Sequence, residues 1–295
     1  MHTPFRLATA QYDISFLGDW ANYENKISRW VGAAADNGAK LLLFPEYFSM
    51  ELASLFLQEI YGSLDRQLDA MQSVFADFHR LFQTQAQQHQ VHIVAGSYPV
   101  RQNDGSYRNR AYLFYPDGRS DFQEKLQMTR FENEQWSIKA GDSLKVFDTA
   151  WGRIGINVCY DSEFPMLARR QVEAGADLIL VPSCTDTLAG YWRVRIGCQA
   201  RALENQCYVV QSPTVGNAPW SEAVDVNIGA AAVYTPVDRG FPDDGVLVIG
   251  ELNQSQWVYA DIDLANIATV RREGQVFNYR DWPGQFRCDS VTTVL

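Results

Sequence analysis

The hydrophobic and polar positions of the chain follow two periodicities, one typical of strands and the other of helices. Apolar runs at 5–11, 41–44 and 91–96 predict buried strands, because strands covered on both faces carry continuous apolar residues. Between these runs, apolar residues recur three and four positions apart over 20–34 and 64–82, which predicts two amphipathic helices. Alternation of this kind is typical of parallel strands joined by crossover helices.

The middle and the last third of the chain add a hairpin and further strands. Pro116 to Gly118 separates two extended segments and predicts a β-hairpin. Helices are predicted near 164–174 and 188–204, each followed by an apolar strand. Because the helices have one apolar face and the strands have two, we expect an α/β fold with four αββα layers. Two mixed sheets would pack face to face, with helices outside.

No segment has the composition of a linker, since Pro, Gly and Ser are scattered and charges of both signs are mixed along the chain. We therefore predict one domain over 1–270. A tail over 271–295 is expected to pack on this domain or on a partner subunit.

Charge and cysteine content exclude several classes of function. A formal net charge of −10 disfavours nucleic acid as a partner, because an acidic surface repels the phosphate backbone. No apolar run approaches the ~20 residues that span a bilayer, so no membrane partner is expected. The segment MHTPFRLATAQY lacks the features of a secretory signal. Five cysteines without CxxC spacing favour a reducing cytoplasm over a disulfide framework.

Three polar residues that directly follow extended segments are candidates for chemistry: Glu46, Lys125 and Cys159. Each alone is more often structural, as a loop carboxylate, a surface lysine or a small buried thiol. Together they form a set suited to acyl transfer, with an acid/base, an electrostatic stabiliser and a nucleophile. Histidine is the usual base for a cysteine, but none of the four histidines follows Cys159 or ends a predicted strand. A desolvated Glu46 can take that part.

The order and context of these residues resemble the nitrilase superfamily of carbon–nitrogen hydrolases. The three contexts are FPEYF, EKLQMTRFENEQW and GINVCYDSEFP, and further similar stretches are RLATAQ, GADLILVPS, QARALENQCYVVQSPTVG and QWVYADIDL. The resemblance implies an αββα sandwich and a triad of Glu46, Lys125 and Cys159, with no metal and no organic cofactor. It also implies a homodimer or larger homo-oligomer, assembled through the side of the molecule that carries the site.

A second glutamate after the lysine is also implied by the resemblance, and two residues compete for this position. Glu134 is preferred because Gln135 and Trp136 follow it, as in the family pattern. Glu132 is the alternative.

The expected reaction is hydrolysis of a linear amide to a carboxylic acid and ammonia or an amine. By resemblance, it passes through a thioester on Cys159, with Lys125 and the backbone N–H of Tyr160 holding the oxyanion. Nitriles and N-carbamoyl compounds are the alternative small-molecule substrates. The candidate substrate-binding residues follow the catalytic ones or the next strand: Tyr47, Tyr160, Glu163, Asp186, Tyr191 and Trp192.

The segment CYDSEFP distinguishes this chain from several branches of the superfamily. Glu163 stands where the omega-amidase branch has arginine, which argues against a dicarboxylic monoamide as substrate. An acidic Glu163 or Asp186 near the pocket would instead favour a cationic, amine-bearing substrate. The cysteine motif is most similar to nitrilase-like modules that elsewhere are fused to an acetyltransferase domain.

Two alternatives belong to other classes of protein. A catalytically idle binding or scaffold protein could keep the same fold, although the presence of all three triad residue types argues against it. A thiol redox protein is disfavoured because no second cysteine lies within three residues of Cys159.

Overall fold

Two mixed β-sheets joined through one pair of strands form the centre of the molecule. The computed structural model describes residues 3–288, 290, 291 and 293, so the ends of the predicted domain and tail at 1, 2, 289, 292, 294 and 295 lie outside the described residues. The strands are β1 (Phe5–Asp13), β2 (Ala39–Leu43), β3 (His92–Val94), β4 (Tyr98–Arg101), β5 (Tyr107–Phe114), β6 (Ser120–Glu124), β7 (Ile138–Lys139), β8 (Val146–Thr149), β9 (Gly152–Ile156), β10 (Ala176–Ser183), β11 (Tyr208–Asn217), β12 (Val226–Asn227), β13 (Ala232–Tyr234), β14 (Val246–Ile249) and β15 (Gln256–Ile262).

The direction of the strands brings several strand ends to one side of the molecule. In the first sheet, β1, β2 and β3 are parallel, and in the second sheet β9, β10 and β11 are parallel. The end of β1 also pairs in parallel with β11, at Tyr12 with Thr214 and at Asp13 with Val215. Because all of these strands therefore run in the same direction, the loops after β2, β9 and β10 lie at a common edge, where open α/β sheets bind ligands.

Helices cover both sheets on their outer faces. They are α1 (Trp20–Asp36), α2 (Gln58–Tyr61), α3 (Leu64–Met71), α4 (Phe75–His89), α5 (Arg130–Glu134), α6 (Pro165–Glu173), α7 (Leu188–Asn205), α8 (Ala265–Glu273) and α9 (Asn278–Asp281), with 3-10 helices at Phe48–Leu55, Gln72–Val74, Cys159–Glu163 and Trp282–Arg287. No helix in the described part of the chain combines the length and the apolar composition needed to cross a lipid bilayer.

The hydrophobic core forms two clusters, because successive residues of a strand point to opposite faces of the sheet. Leu7, Leu41 and Leu43 point towards the second sheet and pack in one cluster with its residues, such as Leu180. Their neighbours in sequence, such as Leu42, point the other way into a second cluster with α1 and α4. The arrangement confirms the predicted α/β class and its sandwich of sheets with helices outside.

The helix predicted over 64–82 is interrupted, which the apolar periodicity did not indicate. The structure has α3 and α4 at this position, separated by a 3-10 turn at Gln72–Val74. The Gln72 side chain donates to the carbonyls of Leu68 and Pro99, and the Ser73 hydroxyl donates to that of Ala70. Side chains that bond to nearby carbonyls compete with the backbone hydrogen bonds of a helix. The helix is therefore interrupted here, although its apolar face continues.

The described part of the predicted tail, from Arg271 onward, contacts β10 and the helices of the second sheet. The guanidinium of Arg169, on α6, donates to the carbonyl of Tyr279, and Arg271 forms an ion pair with Asp177. The Gln206 amide donates to the carbonyl of Val276.

Candidate active site

The three side chains singled out from the sequence surround one cavity. Glu46 follows β2, Cys159 follows β9, and Lys125 follows the second strand of the β5–β6 hairpin. All three are buried, and all three line a cavity of about 340 Å³. Positions that are far apart in sequence therefore meet at the edge where the parallel strands end.

Glu46 is held through both carboxylate oxygens. Its Oε1 accepts hydrogen bonds from Lys125 Nζ at 2.8 Å and from Asn109 Nδ2 at 2.9 Å. Its Oε2 accepts one from the backbone N–H of Cys184 at 3.1 Å. A side chain from β5, another directly after β6 and a main-chain group after β10 thus fix the orientation of a carboxylate that follows β2.

Lys125 bridges two carboxylates, and the second belongs to Glu132. The Lys125 Nζ donates to Glu132 Oε2 at 2.7 Å, and the hydroxyl of Tyr47 donates to Glu132 Oε1 at 2.7 Å. Glu132 also takes part in the capping box of α5, in which its side chain accepts from the backbone N–H of Thr129. The first turn of a short helix therefore presents this carboxylate to the lysine.

The preference for Glu134 as the second glutamate is corrected by this geometry. The Glu134 side chain is 54% exposed and pairs with Arg130 on the surface of α5. Glu132 and Glu134 are two positions apart on a helix, so their side chains point in different directions. The residues that follow Glu134 in sequence carried no information about which carboxylate turns inward.

Cys159 begins a 3-10 helix in a strained backbone conformation. Its φ is 51°, in the left-handed region that only a few per cent of non-glycine residues occupy. The thiol donates to the carbonyl oxygen of Cys184 at 3.8 Å, and it lies near enough to the Glu46 carboxylate for that charge to raise its pKa. The main chain of Cys184, which is distant in sequence, is thus a direct neighbour of the Cys159 thiol.

Burial and mutual charge set the protonation of the group. Burial, followed by the negative charge of Glu46, raises the pKa of the Cys159 thiol well above its usual value. Burial also raises the pKa of Glu46, and the charge of Lys125 only partly opposes this. The resting nucleophile is therefore a neutral thiol beside a carboxylate of elevated basicity, which is the arrangement that general-base activation requires.

Lys125 remains a cation in the same environment. Burial lowers the pKa of its ammonium group, but the carboxylates of Glu132 and Glu46 outweigh that effect and raise it well above the usual value. For Glu132, burial raises the pKa, but the charge and hydrogen bond of Lys125 prevail and hold it below its usual range. The ion pair of Lys125 and Glu132 is thus fixed, and Glu46 is the carboxyl group free to exchange a proton.

Asn109, Asp161 and the main chain of Cys184 contribute to the site and were not identified from the sequence. Asn109 is fully buried in β5, but it lies between Arg108 and Arg110, so the local sequence does not mark it as part of a buried site. The buried Asp161 carboxylate accepts from the backbone N–H groups of Leu126, Gln127 and Val158. It therefore ties the loop after Lys125 to the loop that carries Cys159.

Four of the six predicted substrate-binding residues line the cavity: Tyr47, Tyr160, Glu163 and Asp186. The Tyr47 hydroxyl is engaged by Glu132, so it supports the ion pair rather than being free for substrate. Glu163 lies 3.7 Å from Arg193, which is a further lining residue from α7.

Tyr191 and Trp192 are not among the residues that line the cavity, which corrects their assignment as pocket walls. The buried Tyr191 accepts a hydrogen bond from Arg195 through its hydroxyl, and Trp192 is largely exposed and packs against the same guanidinium. The helical turn directs both rings away, and their neighbours Gly190 and Arg193 face the cavity instead. Among the described residues, no group of three or more His, Cys, Asp or Glu side chains could hold a metal ion.

Sequence comparisons identify relatives over nearly the whole chain. The profile of the carbon–nitrogen hydrolase family matches residues 6–272. The chain is 38% identical over 280 residues to the probable hydrolase YhcX of Bacillus subtilis (strain 168), covering 94% of this chain and 53% of that protein. It therefore spans about half the length of that relative. It is 26% identical over 290 residues to the human omega-amidase NIT2, covering 94% of this chain and 95% of the relative.

Solved structures show the same architecture. A carbon–nitrogen hydrolase from Helicobacter pylori G27 superposes with a TM-score of 0.76 at 19% identity, covering 97% of this chain and 96% of that one. A mutant of the amidase from Nesterenkonia sp. AN1, with an acetamide moiety attached to its active-site cysteine, superposes with a TM-score of 0.67 at 23% identity, covering 91% and 94%. These likenesses establish the fold, and the profile match over residues 6–272 shows that the chain belongs to the carbon–nitrogen hydrolase family of the nitrilase superfamily.

Proposed function

We propose that this protein hydrolyses a linear amide through a thioester on Cys159. The observation that carries the proposal is the buried hydrogen bond between Glu46 and Lys125 at a cavity that Cys159 also lines and that is large enough for a small molecule. The human omega-amidase and the Nesterenkonia amidase support an amide over other carbon–nitrogen bonds. No cofactor is needed for the proposed steps, because water is the only co-substrate.

In the first half of the reaction, Glu46 removes the thiol proton as the sulfur attacks the carbonyl carbon. A carbon–sulfur bond forms, and the carbonyl oxygen becomes an oxyanion near the Lys125 ammonium and the backbone N–H of Tyr160. The carbon–nitrogen bond then breaks as Glu46 returns its proton to the leaving nitrogen. Ammonia or an amine departs, and the acyl group remains on Cys159 as a thioester.

In the second half, Glu46 takes a proton from water, which attacks the thioester carbon. The carbon–sulfur bond breaks, the sulfur regains a proton from Glu46, and the carboxylic acid leaves. Lys125 keeps its charge throughout, since its ion pair with the buried Glu132 holds the proton on nitrogen. Glu132 acts through Lys125 as a positioning residue.

For the substrate, we propose an amide that carries no carboxylate at its far end. Support comes from the acidic residues around the cavity, which include Glu163, Asp186, Glu222 and Asp225 against Arg130 and Arg193. Because Arg193 lies near Glu163 and Arg130 pairs with Glu134, no unopposed arginine offers a bidentate site for a second carboxylate. Neutral or amine-bearing amides fit this charge balance.

We also propose a homodimer or larger homo-oligomer in the cytoplasm. Exposed apolar residues recur on α7, whose Gly190, Arg193 and Val194 line the cavity, so the side that carries the site is suited to a second copy. All five cysteines are free thiols, which suits a reducing compartment. This chain matches only 53% of the longer Bacillus relative. That partial match is compatible with the proposed likeness to nitrilase-like modules that elsewhere are fused to an acetyltransferase domain.

Release of ammonia from a panel of amides, with matched nitriles and N-carbamoyl compounds, tests the reaction. Cys159→Ala should abolish turnover, and Lys125→Ala should lower kcat by on the order of 10² or more, as loss of an oxyanion donor does. Glu46→Gln should allow neither acylation nor hydrolysis at a measurable rate. Cys198→Ala, which removes an equally buried thiol outside the cavity, should keep the wild-type rate.

Mass spectrometry of the quenched wild-type enzyme gives the acyl half of the substrate, as an adduct on the peptide that contains Cys159. Substantial turnover by Cys159→Ala would refute the proposal. Preference for a nitrile over its matching amide would favour a nitrilase. If no compound turns over and iodoacetamide labels Cys159 no faster than the other thiols, an idle binding protein is the better account.

A further inference from the structure

The hydrogen bonds around Glu46 distinguish its two oxygens. A carboxylate offers about four acceptor positions, two on each oxygen. Lys125 Nζ and Asn109 Nδ2 take both positions on Oε1, at 2.8 and 2.9 Å. On Oε2 the backbone N–H of Cys184 takes one, at 3.1 Å. Only Oε2 therefore keeps a position that can accept another proton.

One residue, Cys184, links the nucleophile to that second oxygen. The Cys159 Sγ is 3.8 Å from the carbonyl oxygen of Cys184, whose N–H is bonded to Oε2. The main chain of a single residue after β10 thus contacts both the thiol and Oε2.

Asn109 contacts this group of residues through both its side chain and its main chain. Its side chain donates to Glu46, and its carbonyl oxygen accepts from the backbone N–H of Lys125 at 2.9 Å. The residue is fully buried, and since a carboxylate can only accept here, the NH₂ group must be the part that faces Glu46. Its own Oδ1 has no hydrogen-bond partner among the residues that the structure describes, so the orientation is maintained at the expense of an unsatisfied oxygen.

We propose that Asn109 is a positioning residue that, with Lys125, occupies Oε1 of Glu46 and so reserves Oε2 for proton exchange with Cys159. The proposal rests on the proposed function, because it assigns the oxygen that acts as base and acid in that reaction. Asn109 contacts no reacting atom itself. Its effect is on which oxygen is available and on how readily the ionised carboxylate forms.

Removal of the donor should therefore alter the dependence of the rate on pH. A hydrogen bond to the ionised form lowers the pKa of a carboxyl group, so its loss raises the pKa of Glu46. At a pH below the new value Glu46 is protonated and cannot accept the thiol proton. The rate at low and neutral pH should fall about tenfold or more, the loss typical of one hydrogen bond to a charged group, and should recover as the pH rises.

The test uses two variants and a matched control in the full-length chain. Asn109→Leu keeps the branched shape and the number of heavy atoms and removes the donor, while Asn109→Asp keeps the polar shape and places a like charge beside Glu46. Asn205→Leu removes another fully buried carboxamide, whose Nδ2 bonds to the carbonyl of Arg201 on α7, away from the cavity. Circular dichroism checks that each variant is folded, and if Asn109→Leu is not, Asn109→Asp carries the test.

The measurements are the pH profile of kcat/KM for an amide and the pH profile of Cys159 alkylation by iodoacetamide. The expected result is a shift of the acidic limb to higher pH in both Asn109 variants, larger for aspartate, with no shift in Asn205→Leu. An unchanged limb, or a loss by the same factor at every pH, would overturn the proposal. The alkylation profile needs no substrate, so a wild-type enzyme without amidase activity would refute the proposed function while still testing Asn109.

Discussion

Glu132 and Glu134 show how neighbouring residues of one type acquire different surroundings. The capping box at the start of α5 turns the first carboxylate inward to Lys125 and Tyr47, while the second stays on the surface with Arg130. A hydrogen bond to a buried charge contributes about 1.5–3 kcal/mol, whereas an exposed ion pair contributes at most about 1 kcal/mol. Substitution at the two sites should therefore have unequal effects.

Glu132→Gln is expected to lower kcat about tenfold to a hundredfold, because Lys125 loses the anion that holds its ammonium group in place. Steady-state amide hydrolysis by the two single variants checks this. Glu134→Gln is the matched control and should stay within about twofold of wild type. Equal losses in both variants would contradict the assignment.

The sequence indicated the identities of Glu46, Lys125 and Cys159 because each follows an extended segment in a recognisable context. It could not indicate Asn109 or Cys184, whose contacts with Glu46 depend on strands that meet only in the folded chain. Which of Glu132 and Glu134 faces Lys125 depends on where α5 begins. Whether Tyr191 and Trp192 face the cavity depends on the rotation of α7 about its axis. Tertiary contacts set the first residue of a helix and the direction in which each of its faces points, and the local sequence does not reveal those contacts.

At the scale of the elements, Asp161 connects two loops whose relative position matters for the proposed mechanism. Its carboxylate accepts from backbone N–H groups of Leu126, Gln127 and Val158. The first two directly follow Lys125, and the third directly precedes Cys159. The distance between the ammonium group and the sulfur therefore depends on one buried carboxylate that reaches neither the substrate nor the triad.

Asp161→Asn should lower both stability and activity. The amide has one acceptor oxygen where the carboxylate has two, and its NH₂ group would face a backbone donor, so we expect a loss of about 1–3 kcal/mol in the free energy of unfolding. Urea unfolding monitored by circular dichroism gives this value, and kcat should fall in parallel. Asp148→Asn, at an exposed position paired with Arg153, should change the stability by no more than about 0.5 kcal/mol. A fully stable and active Asp161→Asn would show that the backbone alone fixes the loops.

At the scale of the whole molecule, α7 presents two different faces. Gly190, Arg193 and Val194 line the cavity, while Leu188, Trp192, Ile196 and Leu203 are exposed. The exposed residues are spaced by four and seven positions, which places them along one side of the helix. Exposed apolar residues arranged in this way are typical of a surface that meets another subunit.

Ile196→Glu should weaken assembly, because Ile196 is 60% exposed near the middle of this row and a charge there would have to be desolvated in an interface. Light scattering coupled to size-exclusion chromatography should show a smaller species than wild type at equal concentration. Leu57→Glu, at an apolar residue that is 66% exposed elsewhere, should leave the mass unchanged. A wild-type protein that is monomeric, or an Ile196→Glu variant of unchanged mass, would exclude this surface as the interface.

The continuation of β1 from one sheet into the other affects how the enzyme can lose activity. Most of β1 pairs with β2 and β15, and its last residues pair with β11. The acid/base of the proposed reaction is carried by the first sheet and the sulfur by the second. If the short pairing of β1 with β11 loosened, the proton acceptor would move away from the sulfur even though each sheet kept its own hydrogen bonds. The protein would then lose catalysis while its secondary structure remained intact.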